Sequence, residues 1–338
     1  MTAKERIRAA IAHKKTGTCP YYLCLDEPMR RRLIEFTGDE RILGGVTEYL
    51  QHVGPAYPET NERIDSTHYR DAYGVVWQES APGEIGMVNQ AILDGPCLDT
   101  YAFPPTRVPG LFDDVPMQLE RCRDSYTYWS IGFCLYERAW SLRGMEGFLI
   151  DMVASPGFAH ELLDRICAVN LDLIAQTCKH PIDCVRFGDD WGAQHGLIMG
   201  PDLWREFIKP RMARMIDACH SQGKTVFLHS DGDILDIIPD LIEIGLDILN
   251  PVQPDVMDIY SVKREFGSKL TFLGGVSVQN LLPNGSADEV RREIRQLIRV
   301  VGAGGGFIVS PTHILGPDIP IENVAAMIDE FVHQAEFR

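Results

Sequence analysis

The chain has 338 residues and a formal net charge of −16, with 48 acidic against 32 basic side chains, an imbalance that excludes nucleic acid as a partner because a phosphate backbone needs a basic surface. Hydrophobic content of 45 % and charged content of 24 % are ordinary for a globular protein with a large core, and no apolar run is long enough to span a membrane. The polar opening Met1-Thr2-Ala3-Lys4-Glu5-Arg6-Ile7 has no signal-peptide core, so a cytoplasmic protein is expected.

An amphipathic helix is expected over 3–14. Pro20 through Asp26 reads as a first strand ending in Asp26 and Glu27, followed by a helical pattern over 28–52 with a break at Thr37-Gly38-Asp39. From 54 to about 109 prolines, glycines and aromatics dominate. This stretch reads as a covering segment of a single domain, with a hairpin strand over 71–77 and a second near 86–88. Its aromatics Tyr57, Tyr69, Tyr73 and Trp77 serve either a pocket or hairpin packing.

From Tyr126 the pattern becomes regular. Strands are expected at 126–132, 184–188, 225–229, 247–251, 270–275 and 306–310. Helices are expected over 134–153, 157–178, 201–221, 234–244, 256–265, 286–301 and 321–334. Strand then helix, repeated, implies a parallel sheet. Six such units, the strand at 20–26 and an eighth strand between 40 and 100 give an α/β fold, a (β/α)8 TIM barrel with an N-terminal helical and hairpin extension. Gly302-Ala303-Gly304-Gly305-Gly306 precedes a strand, the wrong place for a dinucleotide fingerprint. The nine cysteines form no Cys-x-x-Cys pair. Cys24, Cys134 and Cys184, in or beside strands, are read as core residues ahead of soft metal ligands.

The strand carboxyl ends of such a barrel converge on one face. Here they carry Asp26 and Glu27, Asp189 and Asp190, His229 and Asp231, Asn250 and Gln253, Ser277 and Gln279, and Thr312 and His313, with Glu137 shortly after the strand at 126–132. His229 and Asp231 are two apart and can point to one side; the alternative is that Asp231 and Asp233 merely cap the next helix. Two histidines with a carboxylate suit a borderline ion such as zinc, held by three protein ligands with one position open. The best triple is His229, His313 and one of Asp231, Asp190 or Glu137. A metal-free alternative uses the histidines as proton donors and the aspartates to bind a cationic or hydroxylated substrate.

Several motifs in order carry a family resemblance: Phe187-Gly188-Asp189-Asp190-Trp191-Gly192, Met199-Gly200-Pro201 through Pro210, His229-Ser230-Asp231-Gly232, Leu249-Asn250-Pro251-Val252-Gln253, Gly274-Gly275-Val276 and Pro317-Asp318-Ile319-Pro320-Ile321-Glu322-Asn323. Together they resemble the uroporphyrinogen decarboxylase superfamily, which implies a single (β/α)8 barrel with its site at the strand carboxyl ends. The haem-pathway decarboxylases of that superfamily carry an arginine-rich motif near the amino terminus. The matching stretch here, Leu23-Cys24-Leu25-Asp26-Glu27-Pro28, is acidic and would repel a polycarboxylate. The other large branch contains corrinoid-dependent methyltransferases, many of which bind zinc through a His-x-Cys pair and a later cysteine. His229 matches that histidine, Asp231 stands in place of the first cysteine, and His313 stands at or beside the second. Harder ligands leave an ion more Lewis acidic, which suits an ether or hydroxyl oxygen better than a thiol.

The resemblance therefore implies a substrate-side, demethylating methyltransferase. It would pass a methyl group from a small methylated substrate, a methoxylated aromatic or a methylated amine, to a corrinoid carried on a partner protein. In this reading His229, Asp231 and His313 hold the metal, and Asp190, Glu137 and Asp231 handle protons. Tyr128, Trp129, Tyr136 and Trp191 stack on the methyl donor, and Asn250 and Gln253 bind it. The alternative is a decarboxylase or other lyase of the same barrel acting on a small or tetrapyrrole carboxylic acid. The sequence leaves the oligomeric state open, a homodimer being the commonest symmetric assembly.

Overall fold

The structure is a computed structural model, and it describes residues 1–23, 25–39, 49–55, 62–79 and 86–334. Its centre is a curled parallel sheet of seven strands: β1 (Leu50–His52), β2 (Tyr126–Ile131), β3 (Cys184–Gly188), β4 (Thr225–His229), β5 (Ile248–Val252), β6 (Thr271–Val276) and β7 (Phe307–Pro311). Neighbours in space are neighbours in sequence, the order produced when each strand is followed by a crossover helix.

Alternation along the strands sorts their side chains into two apolar clusters. Val185, Phe187, Val226, Leu228, Leu249, Phe272 and Val309 pack outward beneath the surrounding helices. Tyr126, Tyr128, Cys184, Phe227, Ile248, Leu273 and Ile308 pack inside the curl. Ile7 and Ala10 of the helix Ala3–Ile11 join the inner cluster. That helix is held at the strands' amino ends by Lys4 and Arg8, which pair with the buried Asp183 at 2.9 and 2.8 Å. One end of the curled sheet is thereby plugged and the carboxyl end is left open.

The expected strand at 20–26 is reduced to bridges. Tyr22 donates to the Val309 carbonyl and Val309 to that of Pro20, and Leu25 bridges Leu315. Pro20 has no N–H to extend the ladder. The segment lies in parallel along β7, but an eight-stranded ladder is not formed among the described residues. The helical reading of 28–52 fails at its end. The helix Glu27–Thr37 stops at Gly38, which takes a left-handed φ of 68°, residues 40–48 lie outside the described residues, and Leu50–His52 is a sheet strand.

The helix expected over 134–153 is two, Tyr136–Arg143 and Met145–Ala154, broken at Gly144 with φ 82°. The helix at 201–221 contains a wide turn, Trp204–Ile208, just before Pro210, whose missing N–H removes one rung. The covering segment forms a four-stranded antiparallel sheet, Glu62–Arg63, His68–Arg70, Val76–Gln78 and Met87–Gln90. The strand expected over 71–77 begins only at Val76, because Asp71 folds 71–75 into a turn by accepting the Tyr73 and Val75 amides. Arg138 reaches Asp71 at 2.6 Å with both side chains buried, and this ties the covering sheet to the helix Tyr136–Arg143. Tyr69, Tyr73 and Trp77 are core residues; Tyr57 lies outside the described residues. Cys134 and Cys184 are fully buried, and Cys24 lies outside the described residues. Among the described residues no helix is long and apolar enough to cross a membrane.

Candidate metal centre and active site

β4 ends at His229, where the next residues leave the ladder. His229 Nδ1 lies 2.6 Å from Asn250 Oδ1 on the neighbouring β5. The amide of Asn250 is itself oriented, because its Nδ2 donates to the Leu273 carbonyl at 3.0 Å. Its Oδ1 therefore accepts, so His229 carries its proton on Nδ1 and presents the Nε2 lone pair. Burial, with Arg186 as a lesser cause, pushes this imidazole down to about 3, so it is neutral at ordinary pH.

His229 Nε2 faces Asp231 Oδ1 at 3.8 Å and Asp190 Oδ1 at 4.0 Å. Asp231 Oδ1 is buried without a hydrogen-bond partner. Burial first, and the charge of Asp190 second, push its carboxyl up to about 7. His313, on the turn after β7, brings its ring to 6.1 Å from that of His229. One ligating atom from each of His229, Asp231 and His313 falls within 4.8 Å of the others. Two lone pairs facing one another across such a gap repel unless a proton or cation lies between them. Zinc bonds of about 2.0–2.2 Å would set tetrahedral donors roughly 3.4 Å apart, so these three residues, of the types zinc takes and with His229 Nε2 and Asp231 Oδ1 at 3.8 Å, would draw slightly together to hold such an ion and leave one coordination position open.

The backbone around Asp231 is fixed from three directions. Its amide donates to Asp190 Oδ1 at 2.9 Å, its carbonyl accepts from Gly192 at 3.1 Å, and the Gly232 amide donates to Gln253 Oε1 at 2.5 Å. Gly232 has φ 81°, and a Cβ there would overlap the Gly192 backbone. The loops after β3 and β4 thus touch main chain to main chain, which only glycine permits. Capping is the role of Asp233, whose Oδ1 accepts from Leu235, and not of Asp231.

Glu137 lies beside this group. Burial, then Asp190 and Asp189, hold its carboxyl well above the usual range, and burial raises Asp190 as well. Asp189 is structural: fully buried, it accepts the amides of Leu135, Tyr136 and Glu137 and the Trp191 indole N–H. It thus caps the helix that carries Glu137. Asp26 likewise caps its own helix through the Met29 amide.

Two cavities meet at His313. One of about 220 Å³ reaches inside the curl and includes Tyr22, Tyr128, Arg186, Phe227, His229 and Asn250 in its wall. The other, of about 240 Å³, is lined by Asp231, Gln253, Gln279 and Asp318, among others. Tyr128, Asn250 and Gln253 therefore stand where a ligand can reach them. Trp129, Tyr136 and Trp191 do not, and their reading as stacking platforms is corrected. All three are fully buried, with Trp129 bonded to the Pro55 carbonyl, Tyr136 packed on Phe148 and Trp191 packed on Trp204. Sequence reasoning missed Tyr22 and Arg186. The second had a signal, since period-two spacing puts it on the same face as Cys184 and Gly188.

The family model of uroporphyrinogen decarboxylase matches residues 136–334, more than half of the sequence and every site residue above except Tyr22 and Tyr128. The chain belongs to the uroporphyrinogen decarboxylase family. Among curated family members, it is 24 % identical over 264 residues to the uroporphyrinogen decarboxylase of Legionella pneumophila strain Paris, covering 71 % of each chain. It is 28 % identical over 198 residues to that of Thioalkalivibrio sulfidiphilus, covering 56 % of this chain and 52 % of the other. Among solved structures, a methyltransferase from Methanosarcina mazei superposes over 99 % of both chains with a TM-score of 0.73 at 17 % identity. That likeness shows a shared fold across the length of the two chains.

Proposed function

We propose that this family member is a demethylating methyltransferase, in which a small methoxylated substrate gives its methyl group to the reduced corrinoid of a partner protein. The observation that carries the reading is the cluster itself: a tautomer-fixed His229 Nε2, an unpartnered Asp231 oxygen and His313 within one small sphere. The fold of the Methanosarcina methyltransferase supports it. We read the barrel as closing functionally through the segment at 20–25, which supplies Tyr22 to the cavity wall.

His229, Asp231 and His313 would hold zinc, which when bound supplies Lewis acidity to the leaving oxygen through its open position. The reaction balances as follows. The methyl carbon–oxygen bond breaks with its electron pair going to oxygen, a carbon–cobalt bond forms from the cobalt(I) pair, and the oxygen takes one proton. Asp190 and Glu137, whose carboxyls burial raises above the usual carboxylate range, would serve as its source. Asn250 fixes the His229 tautomer, and the cavity walls exclude water from the reacting bond.

The test combines metal analysis with methylation of free cob(I)alamin by methoxylated aromatics. Stoichiometric zinc that disappears in His229→Ala together with methyl transfer is expected. Full metal content and full transfer in that variant would refute the ligand assignment. The second reading, decarboxylation of a carboxylic acid, is favoured by the curated relatives. Carbon dioxide release without cobalamin methylation would select it.

A further inference from the structure

Arg186 is the one residue of β3 that is not fully enclosed, and it points into the inner cavity. Its one hydrogen bond among the described residues runs from Nη1 to Ser130 Oγ at 3.0 Å, and its guanidinium lies 5.6 Å from the centre of the Phe227 ring. No carboxylate of the described residues comes within ion-pair distance of it, although Asp190 and Asp231 both feel its charge. A guanidinium has five N–H donors in a planar fork, so one serine leaves most of them unused. A cation held inside the curled sheet without an anionic partner is costly, and its field adds to burial in disfavouring protonation of His52 and His229. The rest of that wall suits an oxyanion. The Tyr22 and Tyr128 hydroxyls stand 3.1 Å apart, and Ser310 and Thr312 line the same cavity.

Register fixes the depth. Gly188 pairs with His229, so the Arg186 backbone lies two residues, roughly 7 Å, below the metal-site level. An aromatic ring bridges such a gap when its two substituents point opposite ways. From this arrangement we propose that Arg186 is a carboxylate-binding residue and that the methyl donor is a methoxylated aromatic carboxylate. Its carboxylate meets the Arg186 fork and its ether oxygen meets the cluster of His229, Asp231 and His313. The donor identity rests on the function proposed above; the carboxylate subsite does not. A cationic methylated amine is disfavoured, because it would approach a guanidinium.

The test is equilibrium binding of 4-methoxybenzoate, methoxybenzene and 4-methoxybenzylamine to the full-length protein, with its metal and after chelation. The benzoate should bind at least about tenfold tighter than the neutral ether, as loss of a charge-assisted pair implies. Arg186→Gln should erase that preference, Arg186→Lys should keep part of it, and chelation should leave it standing. Equal binding of the three probes by the unaltered protein overturns the proposal, and needs no variant to fold. A preference lost on chelation but kept in Arg186→Gln also overturns it, since the carboxylate would then sit on the ion. A preference governed by Arg186 in a protein that methylates no cobalamin would keep the subsite and remove the function.

Discussion

Asn250→Ala tests the orientation of His229, on which the metal reading turns. The substitution removes the acceptor 2.6 Å from His229 Nδ1 and the donor 3.0 Å from the Leu273 carbonyl. Both groups left behind are screened from water, and each costs about 1–3 kcal/mol when unpartnered. The fold should therefore lose roughly 2–5 kcal/mol in urea denaturation, allowing for some relaxation. The imidazole also becomes free to rotate and to change tautomer. Outer partners of a metal-ligating histidine are typically worth 10–100-fold in affinity, or about 1.4–2.7 kcal/mol. Zinc affinity would be measured by competition with a chromophoric chelator, alongside circular dichroism to confirm that the variant folds. A folded Asn250→Ala protein that binds zinc as tightly as the parent would refute the tautomer argument and with it the role of Nε2 as a ligand.

Other outcomes follow from the same geometry. In metal-free protein the two central groups give opposite pH slopes. His229, depressed to about 3, contributes stability that is present above its unfolded value and lost as pH falls from about 6.5 toward 3; Asp231, raised to about 7, contributes stability that is present at low pH and lost as pH rises from about 4 through 7. Thermal melts across that range should show His229→Gln flattening the acid-side loss and Asp231→Asn flattening the loss toward neutrality. Zinc affinity should climb as pH rises through about 7, where Asp231 gives up its proton, and a titration flat from pH 5 to 8 would count against Asp231 as a ligand. Asp189→Ala should cost at least about 2 kcal/mol in denaturation by uncapping the helix at Tyr136, while zinc stoichiometry stays intact. Tyr136→Phe should leave ligand binding unchanged and hold or slightly raise the melting temperature, because the Tyr136 hydroxyl is buried without a partner; a change in substrate affinity would restore it to the site.

The legible part of the fold was the stretch whose strands are buried on both faces. From Cys184 onward each apolar run ends in polar residues, and those ends converge on the sheet's carboxyl edge. What was hidden follows from physical ambiguity. Leu50–His52 is three residues long and draws its strand character from pairing with β2, which no local pattern announces. The bridges at 20–25 looked like a full strand because composition does not reveal where hydrogen bonding stops. Tyr136 and Trp191 lie just past strand ends, where alternation lapses and their direction is not legible, whereas Trp129 lies within β2 and alternation with Tyr128 already sends it to the outward cluster. Arg186 lies within a strand and not after one, so the pattern of polar strand ends does not single it out.

The way position 231 is secured has an evolutionary corollary. Its amide and carbonyl are engaged by Asp190 and Gly192, and the following amide by Gln253, whereas its carboxylate makes no hydrogen bond through Oδ1. The loop therefore keeps its shape independently of what the side chain is. Sulfur could replace oxygen there without rebuilding the scaffold, so on the proposed metal reading hard and soft donors at this position become alternatives separated by a single residue exchange. On that same reading, a scaffold wired in this manner can exchange oxygen for thiol chemistry while its architecture stands still.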